Sequence, residues 1–197
     1  MQTPKHISKL VDSLRKLPGV GSRSAERFAY NLIDWSPQDL STLATLLSEI
    51  PIRLTCCPEC GALIEERCLL CNDTRRDGET LCVVATFKDI FAIEATREFL
   101  GQYHVLGGLL SPLDRHGPEK LSIDKLKRRL VSLNTQELLL ALDSTLEGDT
   151  TSLWLKRELA DHPLKISRLA FGLPMGSALD FVDGGTLARA LQSRREF

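Results

Sequence analysis

Two Cys-x-x-Cys pairs constrain the fold of this chain more than any other feature of its sequence. Seven residues separate the pair Cys57–Cys60 from the pair Cys68–Cys71. Four thiolates at this spacing can occupy the corners of one tetrahedron, which is the geometry that a structural Zn²⁺ ion requires. A disulfide or a redox dithiol of the thioredoxin type would not need a second pair so close by. The sequence therefore predicts one structural zinc ion per chain, bound by Cys57, Cys60, Cys68 and Cys71.

The residues beside the two pairs favour the tight turns that such a site needs. Gly61 and Asn72 can adopt the left-handed conformation that closes a turn of this kind. Cys56 leaves one alternative open, because it could replace Cys57 as a ligand. Cys82 lies in an apolar run, and we expect it to be a small buried residue.

The composition of the chain indicates its cellular compartment and limits how it could bind nucleic acid. The chain has 197 residues, of which 43% are hydrophobic, enough for a domain of ordinary size and smaller modules. No apolar stretch approaches the ~20 residues that span a bilayer, and no signal-peptide core is present. Thiols kept reduced for a metal are typical of the cytoplasm, so we expect a cytoplasmic protein without membrane association. The formal net charge is −1, so nucleic acid would have to be bound by a local basic patch.

The N-terminal part of the chain shows three helical patterns of apolar residues. We expect helices over residues 5–17, from Ser22 and from Pro37, with Ser22 and Ser36 as N-caps. In the second helix, Phe28 is expected to face inward. The apolar stripe of the first helix could pack within the chain or form a subunit interface. This stripe consists of Ile7, Leu10, Val11 and Leu14.

The segment between the first two helices, residues 18–21, has the pattern of a helix–hairpin–helix turn. Its glycines let the backbone turn tightly and approach another surface, and the next helix begins with free N–H groups that suit a phosphate. Residues 1–30 carry six basic and two acidic side chains, a local net charge of +4. An ordinary turn beside solvated arginines remains the alternative. We expect DNA binding without sequence preference, through Gly19, Gly21, Arg23 and Arg27.

From Leu81 onward, strand and helix patterns alternate, which predicts a mostly parallel sheet covered by helices. Four strands are expected, over residues 81–84, 103–106, 137–142 and 164–170, and helices are expected over residues 87–100, 122–133, 150–160 and 186–192. Residues 74–78 have the composition of an exposed linker between this domain and the cysteine module. The fold class is therefore multi-module α/β, with four expected parts. These are a helical helix–hairpin–helix module (1–54), a four-cysteine zinc-finger module (55–78), a mostly parallel α/β domain (79–174), and a tail with a short helix and a possible oligomer contact (175–197).

Motifs in each module resemble those of one family over essentially the whole length. They are the helix–hairpin–helix sequence at 17–27, the four cysteines, Gly107–Asp114, Glu147-Gly148-Asp149, and the stretch 172–176. In this order and spacing they are similar to the RecR family of bacterial recombination mediators, whose α/β domain is a Toprim domain. Two departures are visible. The cysteine pairs lie one residue closer than in the family, and Ala85 stands where the first Toprim strand commonly ends in glutamate.

The resemblance implies a non-enzymatic DNA-binding protein of recombinational DNA repair. Such a protein would act with the partner proteins RecO and RecF to load recombinase onto gapped DNA. Members of the family assemble as dimers or ring-like tetramers, so the resemblance also implies a homo-oligomer.

The alternative is a Mg²⁺-dependent Toprim nuclease or strand-transfer enzyme. Catalytic Toprim domains hold Mg²⁺ with a strand-end glutamate and a pair of aspartates. Here Ala85 replaces the glutamate, Thr145 replaces one aspartate, and both tyrosines (Tyr30 and Tyr103) are expected to serve packing. We therefore expect no enzymatic activity. The remaining acidic residues predict a contact surface for a basic partner or a weak Mg²⁺ site, and they are Asp143, Glu147 and Asp149.

Overall fold

The chain divides into two compact units between Leu54 and Thr55. The computed structural model describes residues 3–170 and 172–194, so the outermost residues of the predicted modules at 1 and 197 lie outside the described residues. The four predicted modules and their boundaries stay predictions. Among the described residues, no helix is long and apolar enough to cross a membrane.

The first unit consists of three helices, as predicted: α1 (Lys5–Leu14), α2 (Ser22–Ile33) and α3 (Pro37–Arg53). Helices α1 and α2 pack against each other, and the apolar stripe of α1 is half-buried there. Helix α1 ends three residues before the predicted end at 17. The reason is a tightened last turn, in which the Leu17 N–H donates to the Leu14 carbonyl over 3.1 Å.

The two predicted N-caps have different outcomes. Ser36 caps α3, because its hydroxyl oxygen accepts the Asp39 N–H over 3.1 Å and Pro37 follows at the first helical position. The prediction for Ser22 is wrong, since Ser22 is already the first residue of α2. Gly21 is the N-cap instead, with extended backbone and a carbonyl that accepts the Ala25 N–H over 2.9 Å.

Helix α3 and part of α2 leave apolar side chains in solvent. Phe28 was expected to face inward, but it is 40% exposed. Within the described part of this unit, Ala25 and Ala29 are the only buried residues, so there is no second layer to cover a larger apolar face. The large apolar residues of α3 that are exposed are Leu40, Leu46, Leu47, Ile50 and Ile52.

The second unit contains the predicted parallel sheet. Its strands are β3 (Thr80–Val84), β4 (Gln102–Val105), β5 (Glu137–Ala141) and β6 (Lys165–Arg168), in the order β4-β3-β5-β6 and all parallel. The connection from β3 leads to β4 on one side of the sheet, and the connection from β5 leads to β6 on the other side. The carboxyl ends of these two central strands therefore flank the position where an open α/β sheet usually binds its ligand.

Helices connect the strands of this sheet. They are α4 (Phe87–Glu94), α5 (Ile123–Ser132) and α6 (Leu146–Glu158), with a short 3₁₀ helix at Pro118–Lys120. A second 3₁₀ helix (Leu179–Phe181) and α7 (Gly184–Gln192) follow the last strand. Helix α4 stops at Glu94, six residues before its predicted end, and Arg97 beyond it has a φ of +60°, which a helix cannot include. Helix α6 begins four residues before its predicted start, because the Thr145 hydroxyl oxygen accepts the Gly148 N–H over 3.2 Å.

The cysteine module packs directly on one face of the sheet. It contains an antiparallel hairpin of β1 (Thr55–Cys56) and β2 (Leu63–Ile64), which the sequence did not predict. The Val105 N–H of β4 donates to the Cys60 carbonyl over 2.7 Å. One hydrophobic cluster joins the module to the sheet and to α4, and its buried residues are Cys57, Cys60, Ala62, Cys68, Cys82, Val84, Ile90, Tyr103 and Ala141.

Thr74, Arg75 and Asp77 of the segment 74–78 are exposed, as its composition predicts, but the Arg76 side chain is buried. Only 7% of the Arg76 side chain is exposed. Its guanidinium pairs with Glu94, donates to the carbonyls of Phe99 and Gly101, and lies over the Tyr103 ring. The Tyr103 hydroxyl donates to Glu94 over 2.6 Å. Burial and this carboxylate raise the pKa of the Tyr103 phenol, so the phenol stays protonated as the donor.

This network predicts that Arg76 is needed for the stability of the second unit. We expect Arg76→Met to lower the free energy of unfolding by about 2 kcal/mol, because it leaves the Glu94 carboxylate partly buried without its cation. Urea unfolding measures the change.

Arg75→Met is the matched control. The Arg75 side chain is 83% exposed, although it also pairs with Asp73. An exposed pair of this kind adds little to stability. Equal unfolding midpoints for the two variants would contradict a structural role for the Arg76 network.

Candidate metal centre and nucleic-acid interface

The structure brings the four predicted cysteine ligands together. All four sulfur atoms lie within 4.8 Å of one another. The Cys57 and Cys71 sulfurs are 4.0 Å apart, and those of Cys60 and Cys68 are 3.6 Å apart. A disulfide would need about 2.05 Å, whereas four sulfurs bound at about 2.3 Å to one ion lie about 3.8 Å apart. The donor set and its spacing therefore fit a tetrahedral zinc ion.

The two turns of the cysteine cluster direct backbone N–H groups at its sulfurs. The Ala62 N–H points to the Cys60 sulfur at 3.5 Å, and the Cys71 N–H points to the Cys68 sulfur at 3.4 Å. Such donors compensate part of the negative charge on thiolate ligands and fix their orientation.

Gly61 has the predicted left-handed conformation, with a φ of +80°. A Cβ atom at Gly61 would also lie only 2.8 Å from the Val105 Cβ, so the close approach of β4 requires glycine as well. The same prediction for Asn72 is wrong, because its φ is not positive. The Asn72 side chain closes the second turn instead, by donating from Nδ2 to the Cys68 carbonyl over 2.8 Å.

The two cysteines outside the cluster have separate environments. Cys56 is exposed in β1 and is not part of the cluster. Successive side chains of an extended segment point to opposite sides, so Cys57 faces the other ligands while Cys56 faces away. Cys82 is fully buried, as expected, and burial raises the pKa of its thiol to about 12, which keeps it neutral.

The helix–hairpin–helix turn presents an open backbone surface. Gly19 has a φ of +77°, and the Val20 N–H closes the turn on the Leu17 carbonyl over 3.1 Å. A Cβ atom added at Gly19 or Gly21 would meet nothing within 4 Å. Gly19 is therefore required for its backbone conformation, while both glycines leave room for a ligand.

Two exposed arginines follow this turn on α2. Arg23 and Arg27 lie one helical turn apart, and neither forms an ion pair with an acidic side chain among the described residues. No described side chain caps the α2 N-terminus. Its first N–H groups have no intrahelical acceptor, and the helix dipole adds partial positive charge there. This arrangement can bind a phosphate group.

The three acidic residues of the predicted rim are not equivalent. Asp143 is exposed after β5, and Glu147 is half-buried in the first turn of α6. Asp149 forms ion pairs with Arg168 of β6 at 2.6 Å and with Arg189 of α7 at 2.8 Å. Neither arginine was predicted from the sequence, because no local pattern connects α6 with α7.

The carboxyl edge of the sheet has few metal ligands. Ala85 is buried directly after β3, where a catalytic Toprim domain would place a glutamate. Across residues 3–170 and 172–194, the four cysteines are the only cluster of three or more His, Cys, Asp or Glu ligand atoms. The three rim carboxylates therefore do not converge on one point.

Three family descriptions match successive parts of the chain. Residues 7–50 match the RecR helix-hairpin-helix, residues 79–170 match the Toprim domain, and residues 172–195 match the RecR C-terminal family.

Whole-chain relatives agree with these matches. The chain is 52% identical over 198 residues to recombination protein RecR of Protochlamydia amoebophila (strain UWE25), which covers 100% of both chains. It is 46% identical over 200 residues to recombination protein RecR of Chlamydia felis (strain Fe/C-56), again over 100% of both. Recombination protein RecR of Streptomyces coelicolor is 46% identical over 190 residues, 96% of each chain.

The pairing of Asp149 predicts a pH-dependent attachment of α7. Hydrogen bonding to Arg168, assisted by the charge of Arg189, lowers the pKa of Asp149 below its ordinary value of 3.8. A carboxyl whose pKa is lowered by folding stabilises the protein above its ordinary pKa, and this contribution is lost as the pH falls below it. We expect Asp149→Asn to cost about 1 kcal/mol at pH 7 and progressively less below pH 3.8.

Urea unfolding across this pH range measures the difference between wild type and variant. Asp143→Asn is the control, because it removes an exposed carboxylate from the same rim. A cost for Asp149→Asn that stays constant down to pH 3, or that Asp143→Asn reproduces, would show that the ion pairs do not stabilise the fold.

Proposed function

Because this chain belongs to the RecR family of recombination proteins, we propose that it is a DNA-binding mediator of recombinational repair and not an enzyme. In this proposal it acts in the cytoplasm with RecO and RecF to load recombinase onto gapped DNA. The observation that carries the proposal is the open, glycine-lined turn followed by two exposed arginines that pair with no described acidic side chain.

DNA binding is proposed to occur through the sugar–phosphate backbone. The N–H groups at the start of α2 and the side chains of Arg23 and Arg27 offer donors and positive charge, but none of them is positioned by neighbours to read a particular base. Contacts of this kind position a protein on DNA without specifying sequence. The proposed contact residues are Gly19, Gly21, Arg23 and Arg27.

The metal is proposed to be one structural zinc ion per chain. Cys57, Cys60, Cys68 and Cys71 would hold it, and the geometry of their sulfurs supports this choice. The ion would bind the four sulfurs as thiolates and compensate their negative charge inside the core, so that its binding energy contributes to folding. Four cysteine ligands leave no open position for a substrate.

We also propose that the Toprim domain of this chain has no catalytic activity. Ala85 supplies no ligand at the end of β3, and Asp149 is engaged by two arginines. Two-metal chemistry needs carboxylates that converge on the metals. Exposed Asp143 and half-buried Glu147 are instead proposed as a contact surface for a basic region of a partner protein.

A homo-oligomer is proposed to be the DNA-binding form. One turn with two arginines neutralises only a few phosphates, each contributing a salt slope of roughly −0.9 on duplex DNA. Several modules in one assembly increase the effective concentration and multiply the affinity. The exposed apolar face of α3 supports this proposal, because an apolar patch of this kind marks an interaction surface. The stripe of α1 is already half-buried within the chain.

The zinc proposal predicts that Cys60→Ser loses metal and stability together. Cys60 is fully buried, and its substitution removes one of four ligands inside the core of the second unit. Elemental analysis should find one zinc per wild-type chain and less than half of that in the variant. Cys56→Ser, which changes the exposed neighbour, should keep the full amount. Wild-type protein purified without chelator and free of zinc would exclude the proposed centre.

The DNA proposal predicts that the double change Arg23→Ala with Arg27→Ala weakens binding to all sequences alike. The salt slope should become shallower by about two per module, because two phosphate contacts are lost. Fluorescence anisotropy with gapped DNA over a range of salt concentrations measures both effects.

The control for this variant removes the same charge elsewhere. Lys156 and Arg157 are two exposed basic residues of α6, and changing both to alanine alters the net charge equally. If the two double variants bind with the same affinity and slope, the arginines of α2 have no special role.

A further inference from the structure

Tyr30 is exposed on the same face of α2 as the two arginines. The sequence pattern predicts that this tyrosine serves packing, yet its exposed fraction is 50%. Arg23, Arg27 and Tyr30 follow one another at the spacing i, i+4, i+7, so at about 100° per residue they form one stripe along the helix. The buried positions Ala25 and Ala29 lie on the opposite side, against which α1 packs.

We propose that Tyr30 is a stacking platform for an unpaired base of the DNA whose phosphates the arginines hold. This inference rests on the proposed phosphate contacts of α2 and names the residue that would contact the single-stranded part of gapped DNA. An aromatic side chain in a positively charged groove stacks on any base, because every base has a π-face. Inside a duplex those faces are covered by neighbouring base pairs, so that away from the duplex ends only an unpaired base offers one.

The dimensions of the stripe agree with this assignment. Tyr30 lies seven helical steps after Arg23, a distance of about 10 Å along the axis. This corresponds to about three nucleotide steps of a strand at its duplex spacing of roughly 3.4 Å. A strand whose phosphates bind near the turn would therefore reach Tyr30 a few nucleotides further on, beyond the end of a duplex that stops at the turn.

The neighbouring aromatic residues of this unit are less suited to the role. The guanidinium of Arg27 lies over the Phe28 ring, 5.5 Å from its centroid. The indole N–H of Trp35 donates to the Asn31 side chain over 3.2 Å, which holds that ring against α2. Among the described residues of this unit, Tyr30 is the exposed aromatic side chain in line with both arginines.

The test compares three DNA molecules of equal length: a single strand, a gapped duplex and a blunt duplex. Tyr30→Ala should weaken binding to the single strand and to the gapped duplex about tenfold, and should leave the blunt duplex unchanged. Tyr30→Phe should keep wild-type affinity for all three, since it keeps the ring. Phe91→Ala is the matched control, because it removes an exposed aromatic ring from α4 in the second unit.

A 2-aminopurine base in the gap gives a direct readout of stacking. Its fluorescence should fall when wild-type protein or Tyr30→Phe binds, and should fall much less with Tyr30→Ala at saturating protein. Equal loss of affinity for all three DNA molecules, no loss for any, or unchanged quenching with Tyr30→Ala would each overturn the inference. The double arginine variant distinguishes a failure of the Tyr30 inference from a failure of the proposed phosphate contacts. The phosphate contacts would be contradicted only if that variant bound all three DNA molecules with wild-type affinity.

Discussion

The packing of the cysteine module against the parallel sheet is the contact on which the second unit depends. Three of the four cysteines, Cys57, Cys60 and Cys68, are buried in the same cluster as Val84 and Tyr103 of the sheet. Buried sulfurs at 3.6–4.0 Å need a cation between them or must stay protonated. A metal at this point would therefore stabilise the sheet as well as the module, and the Arg76 network would stabilise the same contact through Tyr103.

Under the proposed function, this arrangement separates structural and DNA-binding roles along the chain. The second unit has a sheet whose ligand-binding edge contains Ala85 in place of an acidic residue, and Asp149 at that edge is used to hold α7. The first unit has no comparable core among its described residues, but it presents a basic, glycine-lined turn and an aromatic ring to solvent. A scaffold protein can use this division. Its rigid unit forms the contacts with partner proteins, while the small helical modules of several chains each bind phosphates with modest affinity.

Features set by neighbouring residues were predictable from the sequence. The cysteine spacing, the Ser36-Pro37 helix start and the four strands follow local rules of ligand geometry, capping and periodicity. Features that depend on distant contacts were not. Arg76 meets Glu94 only because the sheet brings α4 to the end of the cysteine module, and Arg189 meets Asp149 across 40 residues. Tyr30 is exposed because it lies on the side of α2 opposite the buried Ala25 and Ala29.

Amide hydrogen exchange, measured with and without gapped DNA in the presence of Mg²⁺, tests the central claim that DNA meets the helical unit and not a Toprim active site. The account predicts slower exchange in peptides that cover residues 15–33. It predicts unchanged exchange at the carboxyl edge of the sheet, in peptides that cover residues 85–86, 107–110 and 143–149. Slower exchange at residues 143–149 that requires Mg²⁺, with no change at residues 15–33, would contradict it.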